Sequence, residues 1–194
     1  MIMRLALTIS TVVLLACGGG DDDGSQSPDA AAPEFDAAVQ FDAAAACTHT
    51  GLVAEANSTE RDDELGVLFY TATAGSAPNI ERLTFDFYFP FGATDGPHNL
   101  VFDGENLRDC HTCLVARRNC ESARCSDGKA FLVQEGTASI TALGAAGTSF
   151  QGTIENAVFA EVTISAADLE TTVVPGGETW CIDRHDFDSE ITAP

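Results

Sequence analysis

Apolar and polar residues alternate with a period of two along much of the chain, and this pattern predicts β-strands. In the clearest case, residues 82–89, large apolar side chains occupy every second position: Leu83, Phe85, Phe87 and Phe89. The positions between them are more polar. Such a segment is typical of an antiparallel strand with one face buried in a core and the other facing solvent.

Similar patterns predict strands elsewhere, since β-branched, aromatic or alternating runs are bounded by Gly, Pro, Asn and Asp. They cover residues 65–73, 99–102, 113–118, 130–134, 136–143, 152–165, 171–174 and 179–182. In 152–165 the exceptions to the alternation are Asn156, on the apolar face, and Phe159, on the other. Seven to nine short strands without clear helical periodicity predict an all-β domain, an antiparallel β-sandwich or jelly roll stapled by disulfides, with a β-barrel as the alternative.

The first 16 residues have a different pattern, which is typical of an export signal. A positive charge at Arg4 is followed by an apolar run from Leu5 to Ala16. The run is shorter than the roughly 20 residues that a membrane-spanning helix needs. We therefore predict a signal peptide over residues 1–16.

The end of this segment, Leu14-Leu15-Ala16-Cys17, precedes three glycines and resembles the lipobox of bacterial lipoproteins. The resemblance implies cleavage before Cys17, which then becomes the first residue and carries acyl chains such as palmitate. More than one chain makes membrane attachment stable. The alternative is an ordinary signal peptide with a chance cysteine at the cleavage point.

Residues 17–46 read as the lipidated cysteine followed by a tether. The segment contains seven Asp/Glu and no Lys or Arg, together with Gly, Ser, Pro and Ala, so we predict disorder. A short Ala-rich helix over 34–46 is the alternative. The Ala/Asp/Pro composition is similar to the tethers of myxobacterial-type envelope lipoproteins. Together with the acidic run at 21–23, it implies the bacterial outer membrane; the periplasmic or surface side stays open.

Net charge limits the classes of partner that the remaining domain, residues 47–194, can bind. The whole chain has nine Lys/Arg against 30 Asp/Glu, a formal net charge of −21. Loss of Arg4 with the signal peptide makes the mature chain more negative still. Such a surface repels nucleic acid and anionic lipid headgroups. We therefore expect no nucleic-acid partner, and membrane contact through the lipid anchor alone.

Cysteine usage agrees with export. Six of the seven cysteines lie in the domain: Cys47, Cys110, Cys113, Cys120, Cys125 and Cys181. An even number in an exported domain predicts three disulfides, for which 15 pairings are formally available. We expect Cys120 to pair with Cys125 across a hairpin tip, and Cys47 with Cys181 across the ends of the domain.

The densest chemistry is the run Cys110-His111-Thr112-Cys113. Closely spaced cysteines can bind zinc as thiolates or form a redox-active pair. The export signal and the lack of a βαβ pattern favour structural disulfides over both alternatives.

Oxygen-bearing side chains on loops form a candidate calcium site. The residues are Asp95, Asp103, Glu105 and Asn106. Calcium takes six to eight oxygen ligands from such loops, although the spacing is not that of an EF-hand. Solvated turns are the alternative, and we expect no other cofactor. A second acidic cluster, residues 183–190, is predicted to be a frayed terminus.

No catalytic constellation is recognisable, so no catalytic residues are assigned. The sequence has no Gly-x-Ser-x-Gly, no His-Glu-x-x-His and no phosphate-binding Gly-rich loop. We therefore favour a non-enzymatic envelope lipoprotein whose β domain binds a protein or glycan partner. A lipid-anchored extracytoplasmic hydrolase is the alternative. A cleft with two convergent carboxyls of raised pKa would favour the hydrolase.

Overall fold

The computed structural model describes residues 47–89 and 96–194, and within them it contains ten β-strands and no α-helix. The strands are β1 (His49–Thr50), β2 (Ala56–Asp62), β3 (Val67–Ala74), β4 (Ile80–Tyr88), β5 (His98–Phe102), β6 (Thr112–Cys120), β7 (Lys129–Ala142), β8 (Ser149–Ile164), β9 (Thr171–Val173) and β10 (Thr179–Thr192). The all-β prediction is confirmed. The signal peptide, Cys17, the tether and Asp95 lie outside the described residues. In the described part of the chain, no helix has the length and apolar character needed to cross a membrane.

The strands form one mixed sheet in the order β1-β10-β2-β3-β4-β6-β7-β8-β9, with β5 on β7. Strand β10 also pairs with β8, so the pairings from β2 through β8 return to β2 by way of β10. The pairs β1–β10 and β10–β2 are parallel, and the other pairs are antiparallel. The choice between sandwich and barrel stays a prediction.

The alternation of apolar and more polar residues in β4 places its apolar side chains on one buried face, as predicted. Leu83, Phe85 and Phe87 are buried, whereas the residues between them lie on the opposite face. These side chains join a core rich in aromatic rings, in which Phe150 stacks on Phe187 at a centroid distance of 4.7 Å. Burial of such rings contributes much of the stability of a domain of this size.

Two predicted strands, 130–134 and 136–143, are one long strand, β7. Its register against β8 shifts on both sides of Glu135, and Gly136 has a φ of 139°. Opposite this point, Asn156 on β8 has a φ of 53°. An extra residue in a strand reverses the faces beyond it, which explains why Asn156 and Phe159 interrupted the predicted alternation. Phe159 is fully buried as a result.

The frayed terminus predicted for residues 183–190 is wrong. This segment belongs to β10, which pairs with β8 from Thr179 to Glu190. His185, Phe187 and Ile191 are buried, and acidic residues alternate with them. The acidic residues lie on the exposed face of the strand, where their charges are solvated. A high number of acidic residues is therefore compatible with the pairing of β10 with β8.

One irregularity of the sheet positions the candidate site. Strand β6 pairs with the first part of β7, residues 129–132, and β5 pairs with a later part, residues 136–140. Since β8 occupies the other edge of β7, β5 and β6 follow one another along the same edge. The connecting segment 103–111 leaves the sheet between them, so this edge is interrupted.

Candidate functional site

A cleft of about 100 Å³ lies at the interruption between β5 and β6. We call it the strand-break cleft. Its walls are residues 100–105, residues 110–114 and two residues of β7, Leu132 and Val133. The lining combines apolar side chains with a disulfide, an imidazole and two carboxylates.

The connecting segment is held in place by Asn106. Its Nδ2 donates to the Thr171 carbonyl at 3.1 Å, and its Oδ1 accepts from the Thr171 amide at 3.1 Å. The Asn106 carbonyl accepts from the Cys110 amide at 3.0 Å. Leu107 packs on a small apolar cluster that includes Val115 and Leu132. These contacts fix the wall of the cleft that leads to Cys110.

The Cys110–Cys113 disulfide forms part of this wall. Its two Cα atoms are 5.6 Å apart. Cys110 precedes β6 and Cys113 is the second residue of β6, so the bridge closes a short loop at the start of this strand. Cys113 is 2% exposed, whereas Cys110 is partly exposed. Both sulfurs are oxidised, so neither is a thiolate available to zinc. Because Cys110 is the more exposed of the two, solvent molecules reach it more easily than they reach Cys113.

Asp86 lies beside one cysteine of this disulfide, on the neighbouring strand of the sheet. Asp86 on β4 is the direct partner of Cys113 on β6, so their side chains share one face. Burial raises the pKa of the Asp86 carboxyl to about 6, and the positive charge of Arg82 opposes this rise. Its Oδ1 is buried without a hydrogen-bond partner. Unpartnered buried polar atoms are uncommon in native proteins and often belong to functional sites.

Arg82, the cation whose charge lowers the pKa of Asp86, donates its Nη atoms to other groups. Arg82 Nη1 donates to the carbonyls of Ala123 and Arg124, each at 3.1 Å. These carbonyls belong to the loop closed by Cys120 and Cys125. Arg82 thus holds that loop on the sheet, and its positive charge acts on Asp86.

The other two disulfides are the pairs expected from the sequence. Cys120 pairs with Cys125, with a Cα separation of 4.8 Å, and both are fully buried. Cys47 pairs with Cys181, with a Cα separation of 5.8 Å. The six domain cysteines are therefore all used in bridges.

Three of the four candidate calcium ligands, Asp103, Glu105 and Asn106, lie in the part of the chain that the structure describes. Asp103 and Glu105 line the strand-break cleft, but the Asn106 amide is used in the contacts with Thr171. Asp95 lies outside the described residues. Within residues 47–89 and 96–194, no group of three or more His, Cys, Asp or Glu side chains could hold a metal ion. The calcium site stays a prediction.

A buried pair of polar side chains, Tyr70 and His185, lies in the core. Tyr70 Oη and His185 Nε2 are 2.9 Å apart. Burial raises the pKa of Tyr70 to about 12 and lowers the pKa of His185, so the imidazole is neutral at pH 7. The rings of Phe150 and Phe187 pack around Tyr70. The pair satisfies two polar groups inside the core, which is a structural role.

Sequence reasoning identified the cysteines but missed Asp86. An acid at an alternating position of an amphipathic strand looks like an ordinary solvent-facing residue. The signal that distinguishes it is the pairing of β4 with β6, which places the Cys113 backbone beside it. No protein-family model, curated protein sequence or solved structure matches this chain.

Proposed function

We propose that this chain is a lipid-anchored protein of the bacterial cell envelope, with the outer membrane as its location. Cys17 carries the acyl chains, residues 18–46 are the tether, and the β domain of residues 47–194 is displayed to bind a protein or glycan partner. The observation that carries the proposal is the Leu14-Leu15-Ala16-Cys17 sequence after a short apolar run.

The cysteine pairing supports this assignment. The chain has seven cysteines, and six of them form the three bridges of the domain. Cys17 is the one that remains, which is what thioether lipidation requires. Disulfides are also typical of compartments outside the cytoplasm.

Binding is favoured over hydrolysis by the carboxyls of the domain. Asp103 and Glu105 line the strand-break cleft, but the carboxyl with a raised pKa, Asp86, is not among the lining residues. A hydrolase of the kind considered above needs two carboxyls that converge on one substrate. Since the net charge of the chain is −21, neutral or cationic partners are favoured over anionic ones.

The substitution Cys17→Ala tests the anchor. We expect the wild-type chain to fractionate with membranes and to incorporate a fatty-acid analogue, and we expect the variant to do neither. Ser27→Ala, in the same tether, is the matched control and should behave as wild type. Membrane fractionation and labelling that persist in Cys17→Ala would refute the proposal.

A binding screen tests the second part of the proposal. The full-length chain in detergent would be applied to a glycan array and to envelope protein fractions, with and without Ca²⁺. Saturable binding to a glycan or protein is expected. Turnover of a glycan without retention on the array would instead favour the hydrolase.

A further inference from the structure

The three disulfides of the domain have different surroundings. Cys120 and Cys125 are both fully buried. Cys47 is exposed, but its bridge to Cys181 spans a sequence separation of 134 residues. A bridge that closes a long loop restricts the unfolded chain most and so contributes most to the stability of the fold. The fold in turn stabilises such a bridge by the same amount, which opposes its reduction. The Cys110–Cys113 bridge spans a separation of only 3 residues, and one of its two cysteines, Cys110, is partly exposed.

The strand-break cleft gives another molecule access to this bridge. Both cysteines line the cleft, together with apolar residues of β5 such as Leu100. Val101 on the same strand is 78% exposed. An extended segment that carries a cysteine could thus bring its sulfur to Cys110 while its backbone stays in solvent.

Asp86 supplies what thiol exchange needs in addition to access. A sulfur that leaves a disulfide carries a negative charge, and a nearby proton donor stabilises it. Asp86 is the cross-strand partner of Cys113, which is the more buried of the two cysteines. Burial holds the pKa of this carboxyl near 6, so the group can both give and take a proton close to neutral pH.

We propose that the Cys110–Cys113 disulfide is a redox site that exchanges with cysteine thiols of other molecules, with Cys110 as the attacked sulfur, Cys113 as the leaving sulfur and Asp86 as the proton carrier. In the first step a substrate thiolate bonds to Cys110 Sγ, and the Cys110–Cys113 bond breaks. Cys113 leaves as a thiolate and takes the proton of the Asp86 carboxyl.

A second substrate thiol completes the exchange. It loses its proton to solvent and attacks the substrate sulfur of the mixed disulfide, and Cys110 leaves as a thiolate. Solvent returns one proton to Cys110 and one to the Asp86 carboxylate. Two substrate thiols are thereby oxidised to one disulfide, while one disulfide of the domain is reduced to two thiols. Two electrons pass from substrate to protein, and no other oxidant is required.

Other charges on the same face influence the proton step. The register places charged and titratable groups on the same face of β4, β6 and, two strands away, β2, and the segment before β6 carries more. They are Arg82 and Tyr88 on β4, Arg117 on β6, Glu60 and Asp62 on β2, and Asp103, Glu105, Arg108, Asp109 and His111 before β6. The backbone of His111 is fixed to this strand, because its carbonyl accepts from the Tyr88 amide at 2.9 Å. Burial and the charge of Asp86 both raise the pKa of Tyr88, so Tyr88 stays neutral in the range in which Asp86 titrates.

Graded reduction of the full chain tests the site. The protein would be equilibrated with dithiothreitol at increasing ratios to its oxidised form, alkylated, and mapped by mass spectrometry. We expect Cys110–Cys113 to open at a reductant ratio at least about tenfold lower than either other bridge, with the near-UV circular dichroism of the fold retained. If this bridge opens only together with the others, or only as the fold is lost, the proposal is wrong.

Two variants test the assigned roles. In Cys113→Ser, Cys110 should form a mixed disulfide with oxidised glutathione without loss of the fold. In Asp86→Asn, the rate of reduction per thiolate of dithiothreitol should lose a break near pH 6 that the wild type shows. Asp183→Asn, an exposed acid on β10, is the matched control and should keep the break. A pH–rate profile unchanged by Asp86→Asn would exclude Asp86 as the proton carrier. None of these readouts depends on the lipid anchor.

Discussion

At the scale of single residues, Asp86 departs from the usual chemistry of the polar face of a β-strand. Its carboxyl is partly buried and its Oδ1 has no hydrogen-bond partner, while Nη1 of Arg82 donates to the loop carbonyls of Ala123 and Arg124. Folding stability alone does not favour such a group. Residues that break the general rules of packing and polarity often lie at functional sites, and Asp86 is the cross-strand partner of a cysteine that lines the strand-break cleft.

The same residue leads to a prediction about stability and pH. Because the pKa of Asp86 is about 6 in the folded chain and 3.8 in the reference state, the folded chain binds more protons between about pH 4 and pH 6. The free energy of unfolding therefore falls as pH rises through this window, and the cost of burying the ionised carboxyl is fully present above about pH 7. We expect Asp86→Asn to remove this dependence and to raise the free energy of unfolding at pH 7 by about 1–2 kcal/mol.

Urea unfolding at pH 4, 5, 6 and 7 measures this effect. Asp183→Asn serves again as the control, and its curve should stay within about 0.5 kcal/mol of wild type. Parallel curves for wild type and Asp86→Asn would mean that the carboxyl of Asp86 is hydrated in solution and carries no burial cost.

At the scale of secondary-structure elements, the sequence predicts strands well and their irregularities poorly. The period-two pattern identified β4 and most of β8, because one face of each is buried against the core. It missed β2, whose sequence Ala-Asn-Ser-Thr-Glu-Arg-Asp is polar after its first residue and buries only Thr59. This strand is specified by its pairing with β3, and a partner strand cannot be inferred from the periodicity of one segment.

The candidate site illustrates the same limit. The spacing of Cys110 and Cys113 marks them as a pair, but their access depends on the break between β5 and β6. That break arises because two strands follow one another along one edge of β7. The role of Asp86 depends in turn on the β4–β6 pairing. Both are contacts between distant parts of the chain, so they are not visible in local sequence patterns.

The segment that leaves the sheet at this break provides an element-scale prediction. The Asn106 side chain exchanges two hydrogen bonds with the backbone of Thr171 on β9. We expect Asn106→Ala to lower the free energy of unfolding by about 1–2 kcal/mol, because two backbone groups lose their partner. Amide hydrogen exchange at Thr171 should accelerate. Glu105→Ala, at the exposed neighbouring position, is the control; equal exchange at Thr171 in both variants would show that Asn106 does not hold the segment.

At the scale of the whole molecule, the Cys47–Cys181 bridge joins the first described residue to the last strand. It acts together with backbone contacts on both sides, in which the Thr48 amide donates to the Thr179 carbonyl at 3.0 Å and the Gly51 amide donates to the Cys181 carbonyl at 2.8 Å. These contacts place β1 beside β10. The bridge therefore restrains nearly the whole domain, whereas Cys110–Cys113 restrains a single turn.

This difference predicts how the two bridges share the stability of the domain. In the chain-entropy model, closing a loop of the Cys47–Cys181 length contributes about 5 kcal/mol, against about 2 kcal/mol for the Cys110–Cys113 loop. We expect Cys47→Ala with Cys181→Ala to lower the denaturation midpoint in guanidinium chloride far more than Cys110→Ala with Cys113→Ala, under conditions that keep the other bridges oxidised. Equal losses in the two double variants would show that native contacts around Cys110 and Cys113, rather than loop closure, set their contribution. A small loss for the Cys110–Cys113 variant is also what an exchanging disulfide requires, since a bridge that opens and closes in use cannot be one on which the fold depends.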